Sequence, residues 1–449
     1  MNLPAFRKPF LSFAILLLLA ASVTAQIGRR FPSEKKIVTD PVTGVQLTFL
    51  TSTPAGDHRL YHTHRQWTAD GKWVIFRSNR VPGETLAVNE ETGDIVQVTE
   101  GSYMGVVDVA GSSMKLYFMR MTLRQPGQTR AGPIQIVEVD LEKLLADSKS
   151  ENIKNEREYQ KVCGTIPAEM EAGGDMALDA GGEWIYFRVG KAEASKHLPP
   201  GIAIEPHFGP RNMGAGPTGI SSINIKTREI RFVVALPFQV GHIQTNPWVP
   251  GEIFFCWETG GKAPQRTWTV RSDGTGLRPL YPESEYEWVT HEAVIARDEV
   301  AFAIMGHRPA GALRAFWDKA GENPGNTADT VLRKDWGPSG TREKPTGMGI
   351  INIRTGEMMI AGQTPSGSGL WHVHGSADGR WAAGDDFDRN IYLIDRRTHA
   401  MKLISAGHKA TAADHPHPAF SPDATRIIIQ SAMLSENGRS MNICVIPVR

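Results

Sequence analysis

The stretch His372-Val-His374-Gly-Ser-Ala-Asp378-Gly-Arg-Trp381 decides the fold. Two histidines run into an Asp-Gly turn, and an aromatic residue opens the next apolar run. The same turn and strand return as Trp67-Thr-Ala-Asp70-Gly-Lys-Trp-Val-Ile-Phe76 and as Phe420-Ser-Pro-Asp423-Ala-Thr-Arg-Ile-Ile-Ile429. Ahead of these lie His62/His64 and His415/His417, so three His-x-His pairs occupy similar places in a repeated unit. Side chains two apart on a regular strand share a face. A repeat that presents one residue type at one phase gathers those side chains in space. Imidazole gathered there can bind a metal or move a proton near neutral pH.

Four further motifs of this kind fill the chain between them. They are Gly105-Val-Val-Asp108 leading to Lys115-Leu-Tyr-Phe118, and Met176-Ala-Leu-Asp179 leading to Trp184-Ile-Tyr-Phe187. Next come His242-Ile-Gln-Thr-Asn-Pro247 with Ile253-Phe-Phe-Cys256, and His291-Glu-Ala-Val-Ile-Ala-Arg-Asp298 with Glu299-Val-Ala-Phe302. Second hairpins such as Ile350-Ile-Asn-Ile-Arg-Thr-Gly-Glu-Met358 lie between motifs, each a strand, a tight turn and a return strand. Many short strands with a repeating turn signature predict an all-β, seven-bladed β-propeller over residues 26–449. One blade cannot bury both faces of its sheet, whereas blades stacked around an axis do so. A pair of packed β-sheets is the alternative, but it leaves the repeated Asp-Gly turn unexplained. Two segments depart from the pattern. Residues 141–159 read as a short charged helix inserted between strands. Residues 308–345 are long, polar and rich in Gly and Pro, and a loop of that length is usually functional, here a candidate lid.

Bulk properties narrow the function. The chain has 449 residues and a formal net charge of +1, which gives no electrostatic footprint for nucleic acid. Cys163, Cys256 and Cys444 are far apart and odd in number, so they read as buried, inert thiols rather than a disulfide framework or zinc cluster. Residues 1–25 read as a secretory signal peptide: Arg7 and Lys8, an apolar run from Phe10 to Val23, and small residues up to Ala25. The alternative, an uncleaved anchor, needs a longer apolar run. No later stretch reads as a membrane span. The expected mature protein is periplasmic or secreted. No Gly-x-Ser-x-Gly elbow is present, and Gly260-Gly261-Lys262 lacks the spacing of a phosphate-binding loop. Trp248, Trp257, Trp288 and Trp371 suit either blade cores or stacking on sugar faces.

The innermost strand of each propeller blade lines the central channel, so motif-equivalent residues form a ring. Five of the seven motifs place histidine near the start of that strand: His64, His242, His291, His372/His374 and His417. One such histidine alone reads as structural; several on adjacent blades read as a shared metal or proton-transfer site. His291, His372 and His374 form the best candidate ligand trio, because they come from neighbouring blades and leave positions open for substrate. Imidazole suits several transition metals, so the ligand type does not name the ion. His242, one blade earlier, is a candidate base. His415 and His417, interrupted by Pro416, suit either a structural role or substrate contact, as do His62 and His64.

At these positions the chain resembles the oligogalacturonate lyase family, seven-bladed propeller enzymes of pectin breakdown. The resemblance covers most of residues 43–449. It is carried by Gly241-His242-Ile-Gln-Thr-Asn-Pro247 with Phe255-Cys-Trp-Glu258, by Thr290-His291-Glu292, by the His372/His374 motif, and by His415-Pro-His417-Pro-Ala-Phe-Ser-Pro-Asp423. It implies a carbon–oxygen lyase acting on a uronic-acid oligosaccharide by β-elimination. It further implies that His242 is the base and that His291, His372 and His374 hold a divalent metal, usually manganese in that family. The chain departs from the family at two places. Gly369 stands where the family has a glutamine ligand. Gly219-Ile-Ser-Ser222 stands where its substrate-binding arginine belongs, with Arg211 nearby in sequence. These departures point to a relative acting on another uronate; a non-catalytic binding propeller of the periplasm is the remaining alternative. His64, Arg211, His415 and His417 are the candidate substrate contacts.

Overall fold

Each Asp-Gly signature folds as a turn locked by its own side chains. In a computed structural model, Asp70 Oδ1 accepts hydrogen bonds from the Lys72 amide (3.1 Å) and the Thr68 hydroxyl (2.6 Å). Asp378 does the same for the Arg380 amide (3.0 Å), and Asp423 for the Thr425 amide (3.2 Å). Gly71 and Gly379 take φ of +68° and +70°, the left-handed region glycine enters without strain. Ala424 holds the equivalent place at +59°. The turn thus explains why aspartate and glycine recur in the sequence at that spacing.

The structure describes residues 26–122, 132–207, 211–259, 263–283, 287–306, 346–362 and 369–448. Their strands form seven antiparallel sheets, the seven blades expected of a β-propeller. Blade 1 runs from Asp57–Arg59 outward to Ile95–Gln97, with Arg30–Phe31 added at its edge. Blades 2 to 6 begin with the inner strands Met104–Val109, Met176–Leu178, Val240–Thr245, Glu287–Ala296 and Leu370–Gly375. Blade 7 is composite. Ala419–Phe420, Arg426–Ser431 and Asn442–Pro447 supply three strands, and Gln46–Phe49 and Lys36–Thr39 from the other end of the chain supply two more. Thr48 pairs with Val445 and Phe49 with Cys444, which closes the ring.

Seven apolar clusters fill the seams between neighbouring blades. One joins Ile75 and Val96 of blade 1 to Val107 and Phe118 of blade 2. Another joins Phe76 and Val88 of blade 1 to Ile428 and Val445 of blade 7. This stacking explains why second strands are apolar on both faces: Glu252–Trp257 is buried at every position. The helix expected at 141–159 is present as Leu141–Lys149, capped by Asp140, whose carboxylate accepts from the Lys143 amide (3.0 Å). Its Leu141 and Leu144 join the seam between blades 1 and 2. All three cysteines are buried and unpaired; burial pushes the Cys163 thiol up to about 12. The expected leader at 1–25, the candidate lid at 308–345 and the glycines at 260–261 lie outside the described residues. No helix among the described residues is long and apolar enough to cross a membrane.

Ring closure rests on Phe49, which is fully buried in the seam between blades 6 and 7. Phe49→Ala is expected to lower stability by about 3–5 kcal/mol. Ile37→Ala on the exposed closing strand is expected to change it by under about 0.5 kcal/mol. Urea unfolding of the two variants against the parent checks both.

Candidate active site

The inner strands are not regular, and their irregularity builds the site. In blade 4 Gly241 pairs with Cys256 and Gln244 with Phe254. In blade 5 Thr290 pairs with Ala303 and Ala293 with Ala301; in blade 6 Leu370 pairs with Asp386 and Val373 with Gly384. Each time three steps on the inner strand match two on its partner, so one extra residue bulges out and re-aims its side chain. The bulges fall at His242-Ile243, His291-Glu292 and Trp371-His372. His242 and His291 adopt φ of 51° and 55°, and His417 of blade 7 adopts 51°. A non-glycine residue held there costs on the order of 1–3 kcal/mol and marks functional sites. Three histidines share that conformation at similar places on three blades.

The rings converge on the axis. His372 stacks on His417 with centroids 3.5 Å apart, and His291 lies 4.2 Å from His372. His415 and His62 lie 5.4 and 5.6 Å from His372. His62 arrives from outside the regular strands, on the segment 61–65, and Tyr61 on the same segment touches His242 (5.0 Å) and His417 (5.5 Å). His374 does not join this group. Its ring packs on Phe420 (6.2 Å), its Nδ1 accepts the Phe420 amide (3.4 Å), and it lines a small cavity with His62 and His64. The two-residue spacing implied a shared face with His372, but that rule holds for a regular pleat, and the bulge ends at Val373.

Asp385 organises the cluster. Its carboxylate accepts from His372 Nδ1 (3.1 Å) and from the backbone amides of His372 (2.6 Å) and His417 (3.3 Å), and His415 Nδ1 lies 3.4 Å away. A carboxylate on Nδ1 fixes the tautomer and leaves Nε2 with a lone pair, as metal-binding histidines require. His372, Asp385 and His415 each offer a ligand atom, and those atoms lie within 4.8 Å of one another. Burial, then the neighbouring imidazoles, holds His62, His291 and His372 well below the usual histidine pKa, so their rings are neutral donors. The buried Nδ1 atoms of His62, His291 and His417 make no hydrogen bond among the described residues. Imidazoles with a free ring nitrogen beside a carboxylate fit a divalent cation of borderline softness.

His242 sits in different surroundings. Its Nε2 lies 3.3 Å from Glu258 and its Nδ1 3.6 Å from Glu292. Arg266, buried beneath, reaches both carboxylates at 3.7 and 3.6 Å. Burial alone pulls the His242 pKa down; the Glu292 contact and the charges of Glu292 and Glu258 more than offset this and raise it. Burial likewise pushes Glu292 up, but His242 and Arg266 hold it below the usual carboxylate range. Two carboxylates thus face one guanidinium and one imidazole. Cys256 also lies within reach of His242 and Glu258, but its thiol is pushed up by burial, and Arg266 already supplies the cation there.

The remaining sequence-derived candidates separate. Arg211 is exposed and lies over Glu258 (3.4 Å) and the Thr259 carbonyl (3.1 Å), so it borders the His242 pocket. His415 and His417 are in the axial cluster. His64 turns away: its Nε2 donates to the Met176 carbonyl (3.1 Å) and its Nδ1 accepts the Thr63 hydroxyl (2.8 Å). Gly369 has φ of +79°, a conformation that glutamine rarely adopts. Sequence reasoning missed Tyr61, Glu258, Arg266, Glu292 and Asp385. Glu258 and Glu292 stood inside motifs already singled out, while Arg266 and Asp385 carry no local signal.

Fold and site together define a seven-bladed propeller whose axial funnel is lined by clustered histidines. No protein-family model matches the chain, and no curated protein sequence matches it. Among solved structures it resembles an oligogalacturonate lyase in complex with manganese at a TM-score of 0.69 and 17% identity, covering 95% of this chain and 99% of that one. A second oligogalacturonate lyase, from Vibrio parahaemolyticus, gives 0.68 and 17%, covering 94% and 99%. At that identity the likeness establishes the fold.

Removing Arg266 strands the buried Glu292 carboxylate and takes one of two guanidinium partners from the half-buried Glu258. Arg266→Met is expected to lower stability by about 3–5 kcal/mol, as breaking buried ion pairs does. Adding Glu292→Gln to it is expected to restore part of the loss. Denaturant unfolding of the single and double variants measures both.

Proposed function

We propose that this protein is a metal-dependent lyase that cleaves uronic-acid-containing oligosaccharides by β-elimination. The observation that carries the reading is the junction of two unlike sites at one funnel: a neutral histidine cluster ordered by Asp385, and His242 poised between Glu258 and Glu292. The fold likeness to an oligogalacturonate lyase bound to manganese supports it. His291 and His372 would hold the cation, with His415 and Asp385 beside them. His374, the third ligand implied by the sequence, would join them only if its ring left Phe420. A bound divalent ion supplies charge stabilisation at the substrate carboxylate.

The chain's own groups supply the proton chemistry. Neutral His242 takes the proton next to the carboxylate, carbon–carbon double-bond character forms, and the bond to the 4-oxygen breaks. The departing oxygen keeps the electron pair and takes a proton from solvent, and His242 returns its own proton to solvent. No water attacks, so no paired-carboxylate hydrolytic centre is needed. Glu292 and Glu258 favour the imidazolium that forms, and Arg266 helps to hold Glu292 below the usual carboxylate range. Arg211, at the rim, is the cation placed to meet a sugar carboxylate. Export from the cytoplasm is part of this proposal and rests on the leader-like residues 1–25.

Oligogalacturonides and other oligo-uronides incubated with the protein are expected to gain ultraviolet absorbance, and a chelator is expected to abolish the gain. His242→Ala and His372→Ala are each expected to lose on the order of 10²–10⁴-fold in kcat. Undiminished activity in both variants rejects the assignment. Stoichiometric metal without any absorbance change returns the chain to a binding role.

The base must be neutral to act, so activity falls as pH drops through the raised His242 pKa. The acid limb of kcat/KM is therefore expected above the ordinary histidine value of about 6.5. Glu292→Gln weakens the stabilisation of the imidazolium and is expected to move that limb to lower pH. A limb that stays in place shows that another group is titrating.

A further inference from the structure

A large cavity in the described structure lies apart from the histidine funnel. It measures about 730 Å³ and lies at the other end of the inner strands. Its walls are the turns that follow those strands: Asp108 to Lys115 in blade 2, Asp179 to Gly182 in blade 3, and Thr245 to Pro247 in blade 4. His242 stands near the start of its strand and Thr245 at its end, so the two openings face opposite ways along the axis. The segment 61–65 crosses between them. It is folded on itself by bonds from Gln66 Nε2 to the Tyr61 and His64 carbonyls, and it is pinned to blade 3 by His64 and the Met176 carbonyl. Tyr61 and His62 face the funnel, and Arg65 faces the second cavity.

Arg65 is the group that needs explaining. Its guanidinium is largely withdrawn from bulk water, and it makes no hydrogen bond or ion pair among the described residues. Burial lowers its pKa, and Asp108 only partly offsets this. The backbone leaves a slot for it: a Cβ on Gly111 would stand 2.5 Å from its Cζ. Lys161 and Arg228 are exposed cations in the same wall, and the buried or half-buried charges besides Arg65 are engaged. Lys115 pairs with Glu138 (2.7 Å), Lys226 with Glu183 (2.5 Å), Asp108 accepts the Leu178 amide (2.6 Å), and Asp179 holds the Gly181 and Gly251 amides. A planar cation with its donors unused, in a cavity of this size, is built for a bidentate anion.

We infer that this second cavity is a binding site for a small hydroxylated carboxylate, one or two sugar-acid units in size, held by Arg65. Anion recognition follows from the guanidinium; the sugar acid rests on the lyase reading above. The site is separate from the catalytic funnel, so the chain would take two equivalents of sugar acid.

Titration calorimetry of the full chain with galacturonate, and separately with inorganic phosphate, tests this. His372→Ala is the background in which the funnel is disabled. Galacturonate binding that persists in His372→Ala and weakens by about 10–100-fold on adding Arg65→Ala supports the site. Partial recovery in Arg65→Lys, with the thermal midpoint unchanged across the variants, shows that the loss is not unfolding. Galacturonate binding that vanishes in His372→Ala, or is untouched by Arg65→Ala, overturns the inference. Phosphate binding through Arg65 without galacturonate binding keeps an anion site and rejects the sugar acid. Because the funnel is disabled throughout, failure here is distinguishable from failure of the lyase assay.

Discussion

One backbone constraint underlies the site: the inner strands must bulge where they meet the axis. An ordinary strand sends alternate side chains into the seams on either side of its blade, where apolar packing holds the ring together. A side chain that is to reach the axis must leave that alternation. The extra residue at His242, His291 and Trp371-His372 allows this, and the left-handed backbone at His242, His291 and His417 is the strain that accompanies it. Blade 2 takes the same bend at Gly105, φ +70°, where a Cβ would collide with the Gly174 carbonyl. Histidine occupies the strained place on three blades and glycine where the neighbouring backbone comes too close. Packing around each bulge has to over-determine the strained conformation for it to persist. The apolar seams supply that rigidity.

Much of this was legible in the sequence, for a definable reason. The Asp-Gly turn is a local device, its partners within five residues, so its recurrence in three motifs, with four further strand motifs between them, announced seven blades. The convergence of His242, His291, His372 and His417 followed from their common phase within the repeat. What the phase could not convey was the bulge. Two-residue spacing placed His372 and His374 together on paper, and one inserted step in the pairing sends His374 to Phe420. Arg266 and Asp385 escaped notice because their partners are distant in sequence: Arg266 finds Glu292, and Asp385 finds His417. The composite seventh blade was also invisible, since nothing local in Gln46–Phe49 says that it pairs with Asn442–Pro447.

Electrostatics divides the funnel into two regimes only a few ångströms apart. Where imidazoles crowd one another, each disfavours charge on the next, and burial pushes the same way. The rings of His62, His291 and His372 therefore stay neutral and keep their lone pairs. At His242 the neighbours are carboxylates, and the balance reverses. A neutral donor cluster suits a cation, and a carboxylate-flanked imidazole suits a proton. Tyr61 lies between them, its ring 4.3 Å from His62 and 5.0 Å from His242. An apolar ring placed there keeps water from screening one regime from the other. Low local dielectric is what lets the two environments hold different protonation states at so short a distance.

The segment carrying Tyr61 therefore does more than fill the channel. An open propeller axis would admit water from both ends and level the environments around the histidines. Residues 61–65 lie across it, fixed by their own hydrogen bonds and by His64 on blade 3. Both ring nitrogens of His64 are engaged, Nε2 with the Met176 carbonyl and Nδ1 with the Thr63 hydroxyl, so it serves as a clamp rather than a reactive group. With that clamp in place the same five residues present an aromatic and an imidazole to one end and a guanidinium to the other. The asymmetry of the channel, histidine-lined at one mouth and cationic at the other, follows from that single crossing.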